Sequence, residues 1–475
     1  MLPLTLVCLL QSIIGAFAQQ ASRQLVLNQV VRLNGALLPN PPTFTIPSSP
    51  NISVSVALCS AGISTPRFIF SNDTSITQPS LNDVGQPNVF EVPLGSDGIG
   101  NWTGHAPDGG FLTVSGAGQI PFEVGVSDQE PLHATLDDLP FLGDTTSNQV
   151  LLFSPPFSRP EPNSPAYPNY TLPSANLSFP VGPSSPPNYT LYFTPTSSSS
   201  LLSLPRTGCA LRAQNGPNDF NEGPAESDGL WLRDEGGWRW QWLVGGLSPS
   251  TNYTAFAILD GTKVTKPINF VTKSGSFECP IVHSLPYCPS TAYAVPIAAP
   301  PSPAIAHDAS TLSENITNPL FEILTNFTTS LLTFPCGRDA YSQLVSCNDC
   351  QTAYRKWLCS VVFPRCSETS SDTSGGSVAS PSPALVVQRS SSSSRSPSLP
   401  AFSSDYMALL PCLETCTAVD RACPVFMGFK CPVPKFTANK TYGVGFIDDG
   451  SEGIQGGGKT GAAQDEWGNV WCNAG

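Results

Sequence analysis

The chain has 475 residues and a net charge of −13, and charged residues make up 12% of it, against roughly 25% in an average soluble domain. No basic field is present to attract phosphates, which argues against nucleic acid as a partner. The four histidines, His105, His133, His283 and His307, are scattered, and no residue set for a metal or other cofactor emerges.

Residues 2–18 are uncharged and end in Ala16-Phe17-Ala18. Small residues at −1 and −3 predict a signal peptide over 1–18, cleaved after Ala18. Its loss removes Cys8 and leaves fourteen cysteines, Cys59, Cys209, Cys279, Cys288, Cys336, Cys347, Cys350, Cys359, Cys366, Cys412, Cys416, Cys423, Cys431 and Cys472. An even number suits complete pairing in an oxidising compartment. Asn-x-Ser/Thr acceptors at Asn51, Asn72, Asn101, Asn169, Asn176, Asn188, Asn252, Asn315, Asn326 and Asn439 predict a secretory glycoprotein.

Residues 19–275 read as a β-sandwich region with Pro/Ser-rich loops. Ile52, Val54, Val56 and Leu58 alternate with polar residues, as do Ile120, Phe122, Val124 and Val126; period two marks a strand with one buried face. Trp238, Trp240 and Trp242 alternate along one strand and are expected to face a sandwich core. The following Leu247-Ser-Pro249-Ser-Thr251-Asn-Tyr253 resembles the corner before a late strand of fibronectin type III domains, in which a tyrosine hydroxyl bonds back to the backbone. An immunoglobulin-like sandwich ending near Thr272 is the expectation.

Residues 276–307 read as a Pro/Ala-rich linker. Cys279 to His307 is the longest uncharged stretch after the leader, but it holds seven prolines, which bar a regular lipid-spanning helix. The C-terminus offers no hydrophobic tail for a lipid anchor.

From 308 to 475 the period changes to about 3.6, predicting a helical cysteine-rich domain. One stripe is Leu320, Phe321, Leu324, Phe327, Leu331 and Leu332. A second is Cys347, Cys350, Tyr354, Trp357 and Val361, and a third is Cys412, Cys416, Val419 and Cys423. Between the last two, 367–400 is Ser-rich and is expected to be a disordered insertion. Cys347 and Cys350 form a lone C-x-x-C, read as structural because neither histidines nor a second pair accompany it.

KWL followed by Cys359-SVVFPR-Cys366 resembles a turn of frizzled-type cysteine-rich domains, and Pro411-Cys412-LET-Cys416-TAVDRA-Cys423 resembles the helix after it. The resemblance implies bonds 336–366, 347–359, 350–423, 412–472 and 416–431. The wider arrangement resembles the fungal stretch-activated calcium-channel component, also called the calcium influx-promoting or mating-induced-death family. The residues that carry this are the leader, the sequon-rich β region, the GLSPSTNYTAF corner, CGRDAYS, CNDC, YRKWLC and FPRC. The fold class expected is α+β and multidomain, an immunoglobulin-like sandwich region followed by a disulfide-rich frizzled-like helical domain.

Two motifs mislead. Gly453-IQGG-Gly458-Lys459-Thr460 matches the phosphate-loop expression but lacks the buried strand before and the apolar helix after it. Asp448-Asp449-Gly450-Ser451-Glu452 lacks the twelve-residue ligand spacing of a calcium loop. No catalytic constellation is visible, and the chain does not read as an enzyme.

The resemblance implies an extracellular regulatory subunit that the secretory pathway delivers to the plasma membrane, with the endoplasmic reticulum membrane as a second location. Its partner would be the pore-forming subunit of a voltage-gated-type calcium channel, through which it would be held to the membrane. Arg338, Asp339, Arg355 and Lys356, on a helix expected over 338–357, are candidate contacts. The alternatives are that the chain is itself a calcium-permeable mechanosensitive channel, or an adhesive module binding lipid or sugar.

Overall fold

The computed structural model describes residues 24–34, 38, 42–62, 65–159, 170–197, 204–213, 225–234, 236–368, 386–391, 396–433, 436–443 and 472–474. The leader and the two misleading motifs lie outside these. The chain forms two compact units, each assembled from separated segments.

The first unit comprises Met1–Asp137, Asn188–Glu222 and Phe256–Lys266. Its centre is two antiparallel four-stranded sheets. One runs Gln29–Asn34, Pro121–Ser127, Ser49–Leu58, Ile99–Ala106 in spatial order, and the other Thr43–Ile46, Gly110–Ser115, Arg67–Ser71, Val89–Val92. Period-two residues supply the core between them: Ile52, Val54, Val56, Phe122, Val124 and Val126 from the first sheet, and Phe44, Phe68, Phe70, Leu112 and Val114 from the second. Register keeps these partners on one face, with Val54 opposite Val126 and Phe68 opposite Val114, since a one-residue slip would turn every apolar side chain to the other face. A short helix, α1 (Gly208–Ala213), is pinned to this unit by Cys59–Cys209 and packs Leu211 among Tyr192, Phe256, Ile258 and Val264.

The second unit comprises Asp138–Pro187, Gly223–Ala255 and Pro267–Gly475. Its main sheet orders Phe141–Thr145, Val150–Phe153, Gly237–Val244 and Ala225–Asp234, all antiparallel. Trp238 and Trp242 are buried and Trp240 is half-buried, but Arg239, Gln241 and Leu243 on the opposite face are buried too. This central strand is covered on both sides, which is why its alternation is aromatic against polar rather than apolar against solvent. Beside it the Tyr253 hydroxyl accepts a 3.0 Å hydrogen bond from the Ser248 amide, and its ring stacks on Phe270.

Residues 276–307 are not a linker. Ile281–Val282 pairs with Tyr293–Ala294, and Val282, Leu285, Tyr287, Cys288, Tyr293, Val295 and Ile297 are buried in one core with Leu320, Leu324, Leu358 and Val362 of the helices. The prolines forbid helix and long strand, yet the alternating apolar residues bury enough surface to hold an irregular chain in place. For the same reason the cysteine-rich region shares its core with the segment before it and does not stand apart from residue 308.

Among its described residues that region holds three α-helices, α2 (Glu314–Leu331), α3 (Cys347–Val362) and α4 (Leu413–Ala422). Ser313 caps α2, and a Ser346–Asp349 capping box starts α3. The buried stripe of α2 is Ile316, Leu320, Leu324, Phe327 and Leu331; Leu332, beyond its end, is exposed. The described residues of the 367–400 insertion are ordered, not disordered as expected. Val386–Arg389 pairs with Tyr406–Leu409, which in turn pairs with Arg365–Ser367, and Ser396 and Leu399 are buried. The Val-Val-Gln-Arg run is the one β-prone stretch of that Ser-rich segment, and an open strand edge awaits it.

Candidate functional site

All fourteen cysteines are paired: 59–209, 279–366, 288–359, 336–347, 350–423, 412–472 and 416–431. Two of the bonds implied by the frizzled-type resemblance, 336–366 and 347–359, are absent. Cys279 and Cys288 take Cys366 and Cys359 instead, because the 276–307 segment lies packed against those residues. Cys336 then closes on Cys347 within a short loop, while Cys350–Cys423 clamps α3 to α4. In the close groupings Cys59, Glu123, Cys209 and Cys412, Glu414, Cys472 both sulfurs are tied up in a disulfide and have no thiolate to give a metal, which leaves one carboxylate in each.

The loop from Cys336 to Cys347 is not helical; α3 begins only at Cys347. Gly337 adopts φ +81° with the Tyr170 ring packed where a Cβ would stand, so a side chain fits neither its backbone nor its space. Arg338 and Asp339 lie exposed in this loop and bind each other through two hydrogen bonds of 3.0 and 2.8 Å. Lys356 is exposed on α3, within electrostatic reach of Asp234.

Arg355 differs from the other three. It is 6% exposed and donates to the carbonyls of Ser174, Ala175 and Tyr287 at 2.7, 2.7 and 3.3 Å. Burial lowers its guanidinium to about 10. It ties loop carbonyls together and offers no surface to a partner, because its position on α3 faces the core.

Around the same loop lies a surface that no local pattern announces. Phe334 stands over Tyr341 edge-on at 5.5 Å and stacks against Phe426 at 6.2 Å. The Tyr341 hydroxyl sits 2.7 Å from the Ala422 carbonyl at the end of α4, and burial pushes its phenol up to about 12. Leu344, in the Cys336–Cys347 loop, is 92% exposed, and Val425 and Phe426, just after α4, are 88% and 54% exposed. Phe334 and Phe426 come from stretches about ninety positions apart and meet where Tyr341 bonds the end of α4 and Cys350–Cys423 clamps α3 to α4.

Two charged clusters were also invisible to sequence reading. In the first unit, Ser55 Oγ lies 3.0 Å from His133 Nδ1, His133 Nε2 lies 3.5 Å from Glu123, and Arg212 lies 3.2 Å from Glu123. Ser, His and acid in contact invite comparison with a hydrolase triad, but here the serine sits on Nδ1 and the carboxylate on Nε2, the reverse of a triad, and all three residues are buried. In the second unit, Asp144 accepts from Lys273 Nζ at 2.5 Å, Arg365 Nε at 2.9 Å and the Ala294 amide at 3.1 Å. A cleft of about 140 Å³ beside Cys279–Cys366 carries Glu278, Glu368 and Asp405. Ser404, Ser274 and the Ser391 amide already donate to these three carboxylates.

Of the glycan acceptors, Asn51, Asn101, Asn176, Asn188, Asn252, Asn315 and Asn326 are exposed. Asn72 is half-buried and donates its amide to the His105 carbonyl. Asn169, and the side chain of Asn439, lie outside the description. Asn315 and Asn326 share the outer face of α2, three turns and about 16 Å apart. Among the described residues, no helix is long and apolar enough to cross a membrane.

The family described as the stretch-activated Ca2+-permeable channel component matches residues 104–455. The stretch-activated cation channel MID1 of Cryptococcus neoformans is 37% identical over 431 residues, covering 80% of this chain and 68% of that protein. The stretch-activated cation channel yam8 of Schizosaccharomyces pombe is 29% identical over 271 residues, 54% of this chain and 52% of that protein. The chain thus spans about two thirds of the first relative's length and about half of the second's. A solved pre-peptidase C-terminal domain of a Bacillus anthracis collagenase, 16% identical and covering 22% of this chain and 92% of its own, has a TM-score of 0.15 and carries no argument about the fold. By the family match and the identity to the Cryptococcus channel, the chain belongs to the Mid1 family of stretch-activated Ca2+-permeable channel components.

Proposed function

We propose that the protein is a regulatory subunit on the extracellular face of a plasma-membrane calcium channel, whose pore is supplied by a separate, voltage-gated-type subunit. The observation that carries this reading is the set of seven disulfides, which uses every cysteine outside the leader and belongs to an oxidising, non-cytosolic compartment. The longest helix supports it. The inward stripe of α2 meets protein, and its outward face is Asn315, Glu322, Thr325, Asn326, Thr329 and Ser330, a surface made for water and sugar, not lipid. The seven exposed acceptor asparagines are the proposed glycan sites.

An accessory subunit gives a specific genetic and electrical signature. Its loss reduces stimulated calcium uptake as much as loss of the pore subunit, and loss of both adds nothing further. The purified protein alone, in planar bilayers, gives no calcium-selective current. A reproducible current from the protein by itself would overturn the proposal in favour of a channel formed by this chain.

A further inference from the structure

We infer that α3 and the tryptophan-bearing edge of the second unit's main sheet form a binding track for an extended, proline-rich peptide, and that the chain's own residues 172–187 fill this track as an exchangeable strap. The site is independent of which subunit conducts ions. Residues 172–187, LPSANLSFPVGPSSPP, hold five prolines and form neither helix nor strand. Among the described residues, no backbone-to-backbone hydrogen bond holds them.

Side chains from elsewhere hold them instead, one after another along the strap. Gln351 donates to the Pro173 carbonyl at 2.8 Å, and Arg355 donates to those of Ser174 and Ala175 at 2.7 Å each. Phe179 packs on Trp231 and Trp238, with ring centres 4.6 and 6.0 Å apart. Gly182 follows so closely that a Cβ there would stand 3.2 Å from Leu230 and 3.7 Å from Trp238. The Trp240 indole then donates to the Pro187 carbonyl at 2.7 Å. The two halves of the track share one support: Arg355 also donates to the Tyr287 carbonyl, and the Trp231 indole donates to that of Pro289, two residues on. The register sets Leu230 opposite Trp240 and Trp231 opposite Arg239, on an edge strand. Trp231 and Trp240 therefore leave opposite faces, and the strap bends round the free edge between them.

This is the chemistry that reads a polyproline-type ligand. Prolines lack the N–H groups of a sheet ladder, so the segment offers its carbonyls to indole and guanidinium donors and its side chains to aromatic rings. The ligand class is thus an aromatic residue set between proline-flanked carbonyls. The strap is also lightly held. Phe179 stays 43% and Val181 96% exposed while docked, and a segment without backbone bonds belongs to the low-stability end of a fold. A tether supplies about millimolar effective concentration, which keeps such a segment in place without tight intrinsic affinity. Arg355, covered while the strap is docked, becomes a donor to the incoming peptide when it leaves.

The test uses the secreted full-length protein and a fluorescent synthetic peptide of residues 172–187. Replacing 173–187 by a Gly/Ser run of equal length empties the track. That variant should bind the peptide saturably and about tenfold or more tighter than wild type, in which the tethered strap competes. Phe179→Ala loosens the strap without touching the track and should give an intermediate affinity. In either strap variant, Trp240→Phe removes one indole donor and should weaken binding several-fold, and a peptide with Ala in place of Phe179 should bind least. If the emptied protein is not secreted, Phe179→Ala decides. No peptide binding by a strap variant that is secreted without free thiols would overturn the inference and make 172–187 a fixed cover of the sheet edge. Binding equal in wild type and strap variants, or indifferent to Trp240→Phe, would place the peptide elsewhere and overturn it as well.

Discussion

Asp144 gathers two cations and a backbone amide in the interior of the second unit. Burial alone would raise its carboxyl, but Arg365 and Lys273 outweigh that and hold it at about 2. Asp144→Asn would leave both cations buried without a counter-charge, at a cost of about 3–5 kcal/mol; a sharp loss of secreted protein, or a lower urea midpoint of what is secreted, is the expected readout. His283 is the complementary case. Burial lowers its imidazole to about 4, against the opposing pull of Asp308. The unfolded chain, with an ordinary histidine near 6.5, therefore binds more protons between pH 6.5 and 4, and stability falls as pH falls through that window by up to about 3 kcal/mol. The carboxylate of Asp144 removes a further part only as pH drops from about 4 towards 2. Urea midpoints at pH 7.5, 5.5 and 4 should decline in that order, and His283→Gln should flatten the step above pH 4.

At the scale of elements, the helices were legible and their staples were not. The 3.6-residue stripes placed α2, α3 and α4 because a helix reports its buried face every turn. Cysteines carry no such local record, since pairing depends on which segments pack together. Once 276–307 fills the core, Cys279 and Cys288 stand opposite Cys366 and Cys359. Peptide mapping without reduction should recover Cys279–Cys366 and Cys288–Cys359 cross-links, and no peptide joining Cys336 to Cys366. Losing Cys288–Cys359 through Cys288→Ser should cost about 2–4 kcal/mol and reduce secretion. Within the Ser-rich insertion the outcome depends on the cut: deleting 370–384 should be tolerated, while a deletion that includes Val386–Arg389 strips a strand from Tyr406–Leu409 and should lower the thermal midpoint.

For the whole molecule, period two identified strands such as Ser49–Leu58 but not their neighbours. The Val150–Phe153 strand pairs with Gly237–Val244, almost ninety residues on, and nothing in either run names the other. The 19–275 region therefore divides between two units whose segments alternate along the chain. The Ser248–Tyr253 corner was readable because it is local, five residues closing one hydrogen bond. The contact of Phe334 with Phe426 was unreadable because packing alone brings these distant stretches together. Arg355 was misplaced on the surface for a related reason. A charged residue on a mostly exposed helix is usually solvated, and the carbonyls of Ser174, Ala175 and Tyr287 make its burial tolerable.

The spans of the seven bonds set a timetable for synthesis. Cys279 and Cys288 find their partners 87 and 71 residues later, and Cys412 waits 60 residues for Cys472. At about 5–20 residues per second, each early thiol stays single for several seconds while other cysteines pass it. Cys336, Cys347 and Cys350 all emerge before Cys359 and Cys366, so each offers Cys279 and Cys288 a premature match. The second unit therefore depends on thiol exchange to erase early errors, and a chain halted before Cys472 leaves Cys412 open to capture by quality control.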